Sequence, residues 1–426
     1  MKNLKHYELP LFAQFEVSYS CNSFCMFCYN RQRQVSPPRE ITWKIAKVLH
    51  DSKIPIIQIT GGECTLFPEL SEIIKYLSEK SSVTIVTNGI KRVKLPDETA
   101  GVFVSLHGTK KTHEYLTRNA NTYDKIAENI RHYVDSGLEL SSDTLLCSKN
   151  YNEIYKIIEN AVDLGMKHIV INRFEVGGMG TSKVGSLMPS VEQFRKALTQ
   201  IIDARKDFDV SIIFGDSIPF CIDERLIKEG LAYSCSAGIS YAVINPYGDL
   251  RICNQSNTSY GNVLERPLKE IWNNKSIDFF RKLKWVSEPC NKCPILSRCL
   301  CGCKVDNSCN PEYCIDFYMR GKKNPPKFVF NINEKNVERT KIRKYPRRFS
   351  ASRFSKLQKV GSKWCLVTQY DVYAINEDGL RVMRDIFSGI DNESDLIEKN
   401  KSMGEENIKR FLGILFHLGA INKIGE

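Results

Sequence analysis

From Phe12 to about Phe220, short β-branched runs alternate with stretches whose apolar residues recur at helical spacing. This pattern predicts repeated β-α units around a parallel sheet. Strands are predicted at Phe15–Tyr19, Ile56–Thr60, Val83–Thr87, Val102–Leu106, Asp143–Leu146, His168–Asn172 and Val210–Phe214. Between them, Leu70, Ile73, Ile74 and Leu77 fall at i, i+3, i+4, i+7, as do Ile154, Ile157, Ile158 and Ala161, each set marking one apolar helix face. The fold class is α/β, and six such units predict a partial (β/α)6 barrel with ligands at the carboxyl ends of its strands. Near the end of the chain, Ser362–Ile375 reads as a hairpin, and Glu406–Leu418 as a helix with Ile408, Phe411, Leu412 and Leu415 on one face.

Composition narrows this picture. A hydrophobic fraction of 42% with 26% charged residues suits a soluble protein, and no apolar run approaches the ~20 residues of a membrane span. The N-terminus lacks the apolar core and cleavage site of a secretory signal, so a cytoplasmic protein with no membrane partner is expected. In that compartment the 16 cysteines point to metal binding or catalysis rather than to disulfides. Residues 321–364 hold 14 Lys and Arg against Glu334 and Glu338, which accounts for the whole net charge of +12. That basic segment is either a solvated linker or a contact for an acidic peptide or nucleic acid.

The segment SCNSFCMFCYN sets Cys21, Cys25 and Cys28 in a C-x3-C-x2-C spacing just after the first strand. Three thiolates can ligate three irons of a four-iron cluster and leave the fourth open to a small bidentate ligand. A zinc site is the competing reading, but it ordinarily needs a fourth protein ligand. The triplet, with the aromatic Phe27 before its last cysteine, resembles the radical S-adenosylmethionine (SAM) superfamily. The resemblance implies a [4Fe-4S] cluster that binds SAM and cleaves it to a 5′-deoxyadenosyl radical, chemistry that belongs to the cofactor while the protein supplies position. It also implies cofactor contacts from Phe27, from Gly61-Gly62-Glu63 with the glutamate on the methionyl ammonium, from Thr87-Asn88, and from Ser105 and Arg118. Two departures stand out: Cys64 takes the place of a common proline, and His107 stands where the family commonly shows the aspartate of SxDG.

Ten cysteines lie between Cys221 and Arg320, where apolar runs are too few for a conventional core, so metal is expected to substitute for one. The run CNKCPILSRCLCGC, giving C-x2-C-x5-C-x3-C, means one or two further centres, zinc or iron–sulfur. It resembles the SPASM extension of peptide-modifying radical enzymes, which implies one or two auxiliary [4Fe-4S] clusters. By that resemblance Cys290, Cys293, Cys299 and Cys314 hold one, and Cys221, Cys235, Cys253 and Cys303 the other. Cys64, Cys147, Cys301, Cys309 and Cys365 are left as buried thiols. Sulfatase-maturating relatives place an acid after the cysteine matching Cys253, whereas this chain has Asn254, and no residue stands out as a catalytic acid or base.

Residues from about 355 resemble PqqD-like peptide-recognition domains, through the hairpin, the Tyr373–Val382 turn and a closing helix ending Leu-Gly-Ala-Ile. Such winged-helix folds offer a strand edge to an extended peptide. The expected organisation is a radical SAM barrel at 1–220, a SPASM region at 221–320, a basic linker at 321–354 and a winged-helix-like recognition domain at 355–426. The function this implies is maturation of a ribosomally synthesised precursor peptide by crosslinking, oxidation or epimerisation. The expected partners are that peptide and an electron donor such as flavodoxin or ferredoxin. The rivals are a radical enzyme acting on a folded protein or small molecule, and an iron–sulfur redox regulator whose winged helix binds DNA. No helix rich in Arg, Asn or Gln supports nucleic acid as a partner.

Overall fold

The computed structural model describes residues 6–30, 35–283, 285–303, 316–319, 345–368, 372–418 and 420–424. All seven expected strands form: β1 Phe12–Ser18, β2 Ile56–Gly61, β3 Ser82–Thr87, β4 Thr99–Ser105, β5 Leu140–Leu146, β6 His168–Arg173 and β7 Ser211–Phe214. They pair in parallel in the order of the chain. The helices are α1 Arg39–Ser52, α2 Leu70–Ser78, α3 Lys110–Thr117, α4 Tyr123–Asp135, α5 Ile154–Asp163, α6 Val184–Leu187 and α7 Val191–Asp207. Both apolar faces read from the spacing are buried, Leu70 through Leu77 on α2 and Ile154 through Ala161 on α5. Each such aliphatic side chain contributes about 2 kcal/mol when removed from water. One unit departs from the β-α rhythm, since residues 88–98 join β3 to β4 without a helix.

The sheet does not end with the barrel. Strands β8 Tyr241–Ile244 and β9 Leu250–Arg251 form an antiparallel pair, and β8 lies parallel beside β1 from Phe12 opposite Tyr241 to Phe15 opposite Ile244. The cysteine-rich region is thereby welded to the strand that leads into the Cys21 loop. Its helices are short: α8 Arg225–Lys228, α9 Leu268–Trp272, α10 Lys275–Arg281 and α11 Leu296–Cys299.

A second apolar core unites Phe349, Leu366, Val382, Met383, Ile408, Leu412 and Leu415. Around it lie β10 Phe349–Ala351, β11 Lys356–Val360, β12 Lys363–Val367, β13 Val372–Ala374, α12 Glu377–Phe387, α13 Glu393–Lys399, α14 Glu405–His417 and β14 Ile421–Lys423. The expected hairpin is the β12–β13 pair of a three-stranded sheet ordered β11-β12-β13. The Tyr373–Val382 turn is the start of α12, where the Asn376 side chain caps the helix by accepting from the Gly379 amide. The boundary at 355 needs correction. Phe349 and its strand, given to the linker on charge, pair antiparallel with β14 and belong to this core. Among the described residues, no helix is long and apolar enough to cross a membrane.

Candidate cluster sites

Cys21, Cys25 and Cys28 sit half-exposed on the loop that follows β1, at the carboxyl end of the sheet. The loop is laid against the end of α3, whose last carbonyls lack helical donors. The Phe24 amide donates to Thr117 O at 3.3 Å, and the Met26 amide to Leu116 O at 3.0 Å. Asn119 Nδ2 donates to Asn22 O at 2.9 Å and Asn88 Nδ2 to Asn22 Oδ1 at 2.6 Å, which ties the loop to the exit of β3 as well. The Phe27 ring meets His107 nearly perpendicular, centroids 4.7 Å apart. His107 Nδ1 accepts from the Leu145 amide, and burial, then the neighbouring His113, pushes its pKa well below 6.5, so the ring is neutral.

The two glycines are required by the loop itself. A Cβ on Gly61, whose φ is +133°, would stand 2.2 Å from Ser18 O, and one on Gly62 would stand 2.2 Å from Ser20 O. Their absence of side chains lets the β2 exit close on the residues leading to Cys21. Glu63 is buried, and its carboxylate accepts from the Thr65 amide and hydroxyl, from the Thr87 hydroxyl at 2.6 Å and from the Asn88 amide at 2.7 Å. These four donors nearly fill its accepting positions. Through these bonds Glu63 clamps the β2 and β3 exits together. Ser105 ends β4 opposite Asp143. Arg118 is exposed, at the left-handed C-cap of α3.

The cysteine-rich region brings two sets of thiols together. Cys290, Cys293 and Cys299 line one pocket with Cys301, Met319 and, against expectation, Cys221. Two contacts seat Cys221 there: the Phe220 amide points at Cys299 Sγ at 3.4 Å, and Cys221 Sγ lies 3.2 Å from Met319 Sδ. Cys235, Cys253 and Cys303 form the other set without it. Burial, then Cys235, pushes the Cys253 thiol up to about 12, while burial, Glu175 and Cys235 hold Cys303 well above its ordinary value. Burial, then Cys299 and Cys293, likewise raises Cys290 to about 12. Thiols that raise one another in this way are what a cationic iron core would relieve, so both sets fit iron–sulfur ligation. Among the described residues no three His, Cys, Asp or Glu side chains gather closely enough for a single metal ion. Cys309 and Cys314 lie outside the described residues. Cys64, Cys147 and Cys365 are buried thiols, as expected.

Two buried arginines, each in ion pairs that no sequence spacing announces, fasten these sets to the barrel. Glu16 of β1, fully buried, pairs with Arg251 of β9, close to Cys253. Arg173 at the end of β6, also fully buried, pairs with Asp316 at 2.7 Å and Glu175 at 2.7 Å and lies over the Tyr318 ring. Asp316 also accepts from the Cys303 amide at 2.9 Å. Burial, opposed by Arg173, raises Glu175 to about 7. Burial and then Glu175 hold Asp216, just past β7, well above the ordinary carboxyl range. Asn172 Nδ2 donates to Asp143 Oδ1 at 2.6 Å along the same strand ends. Polar residues inside or ending otherwise apolar strands, Asp143 midway along LSSDTLL and Asn172 and Arg173 at the end of HIVINR, are the signal that could have found them.

This arrangement of open cluster loop, barrel mouth and buried thiol sets defines a class. The Radical SAM superfamily model matches residues 15–161, and the SPASM iron–sulfur cluster-binding domain matches residues 235–294. The chain carries both domains and is a radical SAM enzyme, with SAM on a [4Fe-4S] cluster and auxiliary iron–sulfur clusters. It is similar to the antilisterial bacteriocin subtilosin biosynthesis protein AlbA of Bacillus subtilis (strain 168), 27% identical over 316 residues, or 69% of this chain and 67% of that one. It is also similar to the AdoMet-dependent heme synthase of Methanosarcina barkeri (strain Fusaro / DSM 804), 24% identical over 351 residues, or 74% of this chain and 98% of that one. The fold resembles Streptococcus suis SuiB bound to precursor peptide SuiA, with a TM-score of 0.60, 18% identity and coverage of 74% and 77%.

Proposed function

We propose that the protein is a maturase that modifies a ribosomally synthesised precursor peptide. Cys21, Cys25 and Cys28 hold the cluster that binds SAM, and Phe27, the Gly61-Gly62 turn, Thr87, Asn88 and Ser105 surround the cofactor. Cys290, Cys293 and Cys299, joined by Cys221, hold one auxiliary cluster, and Cys235, Cys253 and Cys303 contribute to another. When bound, the cofactor supplies a 5′-deoxyadenosyl radical able to take a hydrogen atom from substrate. The chain's own residues do the rest: the Arg173–Asp316 pair holds Cys303 beside the mouth, Glu63 fixes the strand exits, and the Cys21 loop stays anchored on α3.

The observation that carries this reading is the combination of two largely buried thiol sets with a separately cored C-terminal module whose strand β13 forms a sheet edge. A PqqD-like recognition role for that module follows, with the leader pairing along an edge strand. The relatives named for bacteriocin biosynthesis and for binding a precursor peptide point the same way. The test is anaerobic incubation of the cluster-loaded protein with SAM, dithionite and candidate short peptides, first among them any encoded by a small open reading frame beside its gene. The expected products are 5′-deoxyadenosine and, for a crosslink, a peptide lighter by two hydrogen atoms. If 5′-deoxyadenosine forms while the peptide's mass and stereochemistry stay unchanged, the peptide reading fails. The similarity to the heme synthase favours a second reading, a small-molecule substrate, which would leave turnover intact after removal of residues 345–426.

A further inference from the structure

Helix α3 turns His113, Leu116 and Thr117 into the core and leaves Lys111 and Tyr115 outside, with Arg118 exposed just beyond its end. The Cys21 loop is stitched to the last turn of this helix by the Phe24 and Met26 amides. Phe24, between Cys21 and Cys25, is 54% exposed, and Tyr115 is 53% exposed. Two large aromatic side chains, each more than half in water, therefore flank the loop that holds the cluster cysteines. An exposed aromatic on the cluster loop and another on the helix that anchors it offer apolar anchors for a partner at this face.

The charge left without an opposite partner around them is cationic. Among the described residues, neither Lys111 nor Arg118 makes an ion pair. The nearest acid on the helix, Glu114, is turned to accept the Thr122 and Tyr123 amides at 3.1 and 3.2 Å. Lys110 is engaged with Asp124. The outer face is thus aromatic and cationic, complementary to an acidic protein surface. Reductive cleavage of SAM consumes one electron that must come from outside the chain. Electron transfer weakens steeply with distance, so the carrier has to dock directly over the cluster loop.

We propose that Phe24, Tyr115, Lys111 and Arg118 form the docking surface for a small acidic one-electron carrier protein. The carrier loses one electron, the cluster held by Cys21, Cys25 and Cys28 gains it, and no bond or proton moves in that step. The proposal rests on the assignment of the cluster to these cysteines and not on the identity of the substrate.

The test uses the full-length, cluster-loaded protein with Lys111→Glu and Tyr115→Ala, reduced either by dithionite or by flavodoxin as the probe. Dithionite needs no docking site, so 5′-deoxyadenosine formation with it should match wild type in both variants. With reduced flavodoxin the rate should fall about tenfold, and the wild-type flavodoxin reaction should weaken as salt rises. Flavodoxin binding, measured by calorimetry without SAM or peptide, should weaken in parallel, so it reads the surface even if no peptide is ever modified. Equal flavodoxin-driven rates and affinities in wild type and variants would overturn the proposal. So would an equal fall with both reductants, which would make these residues supports of the cluster loop.

Discussion

Burial of His113 against His107 and Tyr123, with His107 buried and neutral beside it, couples the cluster loop to pH. His113 Nδ1 accepts from the His107 amide, and burial lowers its pKa from 6.5 to about 4. The fold therefore favours the neutral ring. Above pH 6.5 this preference costs nothing, because the unfolded chain is neutral there too. As pH falls from 6.5 toward 4 the unfolded chain takes up a proton that the folded chain refuses, and by pH 4 the loss reaches about 3 kcal/mol. Since α3 carries both His113 and the anchor of the Cys21 loop, acid should loosen that loop first. His113→Gln should flatten part of the fall in melting temperature between pH 6.5 and 4, the buried His107 supplying the remainder, and an unchanged slope would remove His113 from the account. Little of this was legible in the sequence. Cys21, Cys25, Cys28 and the Gly61-Gly62-Glu63 motif announce themselves by spacing, whereas the His107–His113 pairing depends on how β4 and α3 meet. Glu63 shows the same limit: its motif is visible, but the four donors that occupy it come from the exits of two strands.

At the scale of elements, periodicity was a good guide wherever an element buries one face against its neighbour. Strands β1 to β7, the apolar faces of α2 and α5, and α14 all lie within a few residues of their expected places. What periodicity cannot carry is pairing between distant segments. Strand β8 lies beside β1 across more than 200 residues of chain, and β10 finds β14 at the other end of the C-terminal module. The placement of Cys221 belongs here too, because the short turn Phe220–Ile222 packs toward Cys299 and Met319 rather than toward Cys235 and Cys253. The consequence is a grouping that spectroscopy can read. Cys221→Ser and Cys290→Ser should each disturb the same auxiliary cluster, giving matching changes in iron content, about four irons at most, and in the spectrum of the reduced protein. Cys303→Ser should disturb the other. A Cys221→Ser spectrum that matches Cys303→Ser instead would return Cys221 to the set expected from the resemblance.

For the whole molecule, the contacts of the C-terminal module decide the path a bound peptide must take. Lys356 Nζ donates to Lys80 O at 3.0 Å and Gln358 Nε2 to Lys53 O at 2.9 Å, so β11 rests on the loops that precede β3 and β2. Those loops lie at the amino ends of the strands, the face opposite the cluster loop. Strand β2 alone has six residues, a rise of about 20 Å, and a chain running outside the helix layer must travel farther, on the order of 30–40 Å. An extended peptide covers about 3.3 Å per residue, so roughly ten residues are needed between the part held by the module and the residue presented at the mouth. Under the proposed function, shortening that spacer should leave peptide affinity for the protein unchanged while turnover falls sharply once fewer than about ten residues remain. Lengthening it should cost little, because loop-closure entropy grows only logarithmically with length. A spacer series that reads affinity and kcat/KM separately tests this. Full turnover with a spacer of about three residues would mean that the leader is held at the mouth and not on the module, since no extended chain of that length reaches around the barrel.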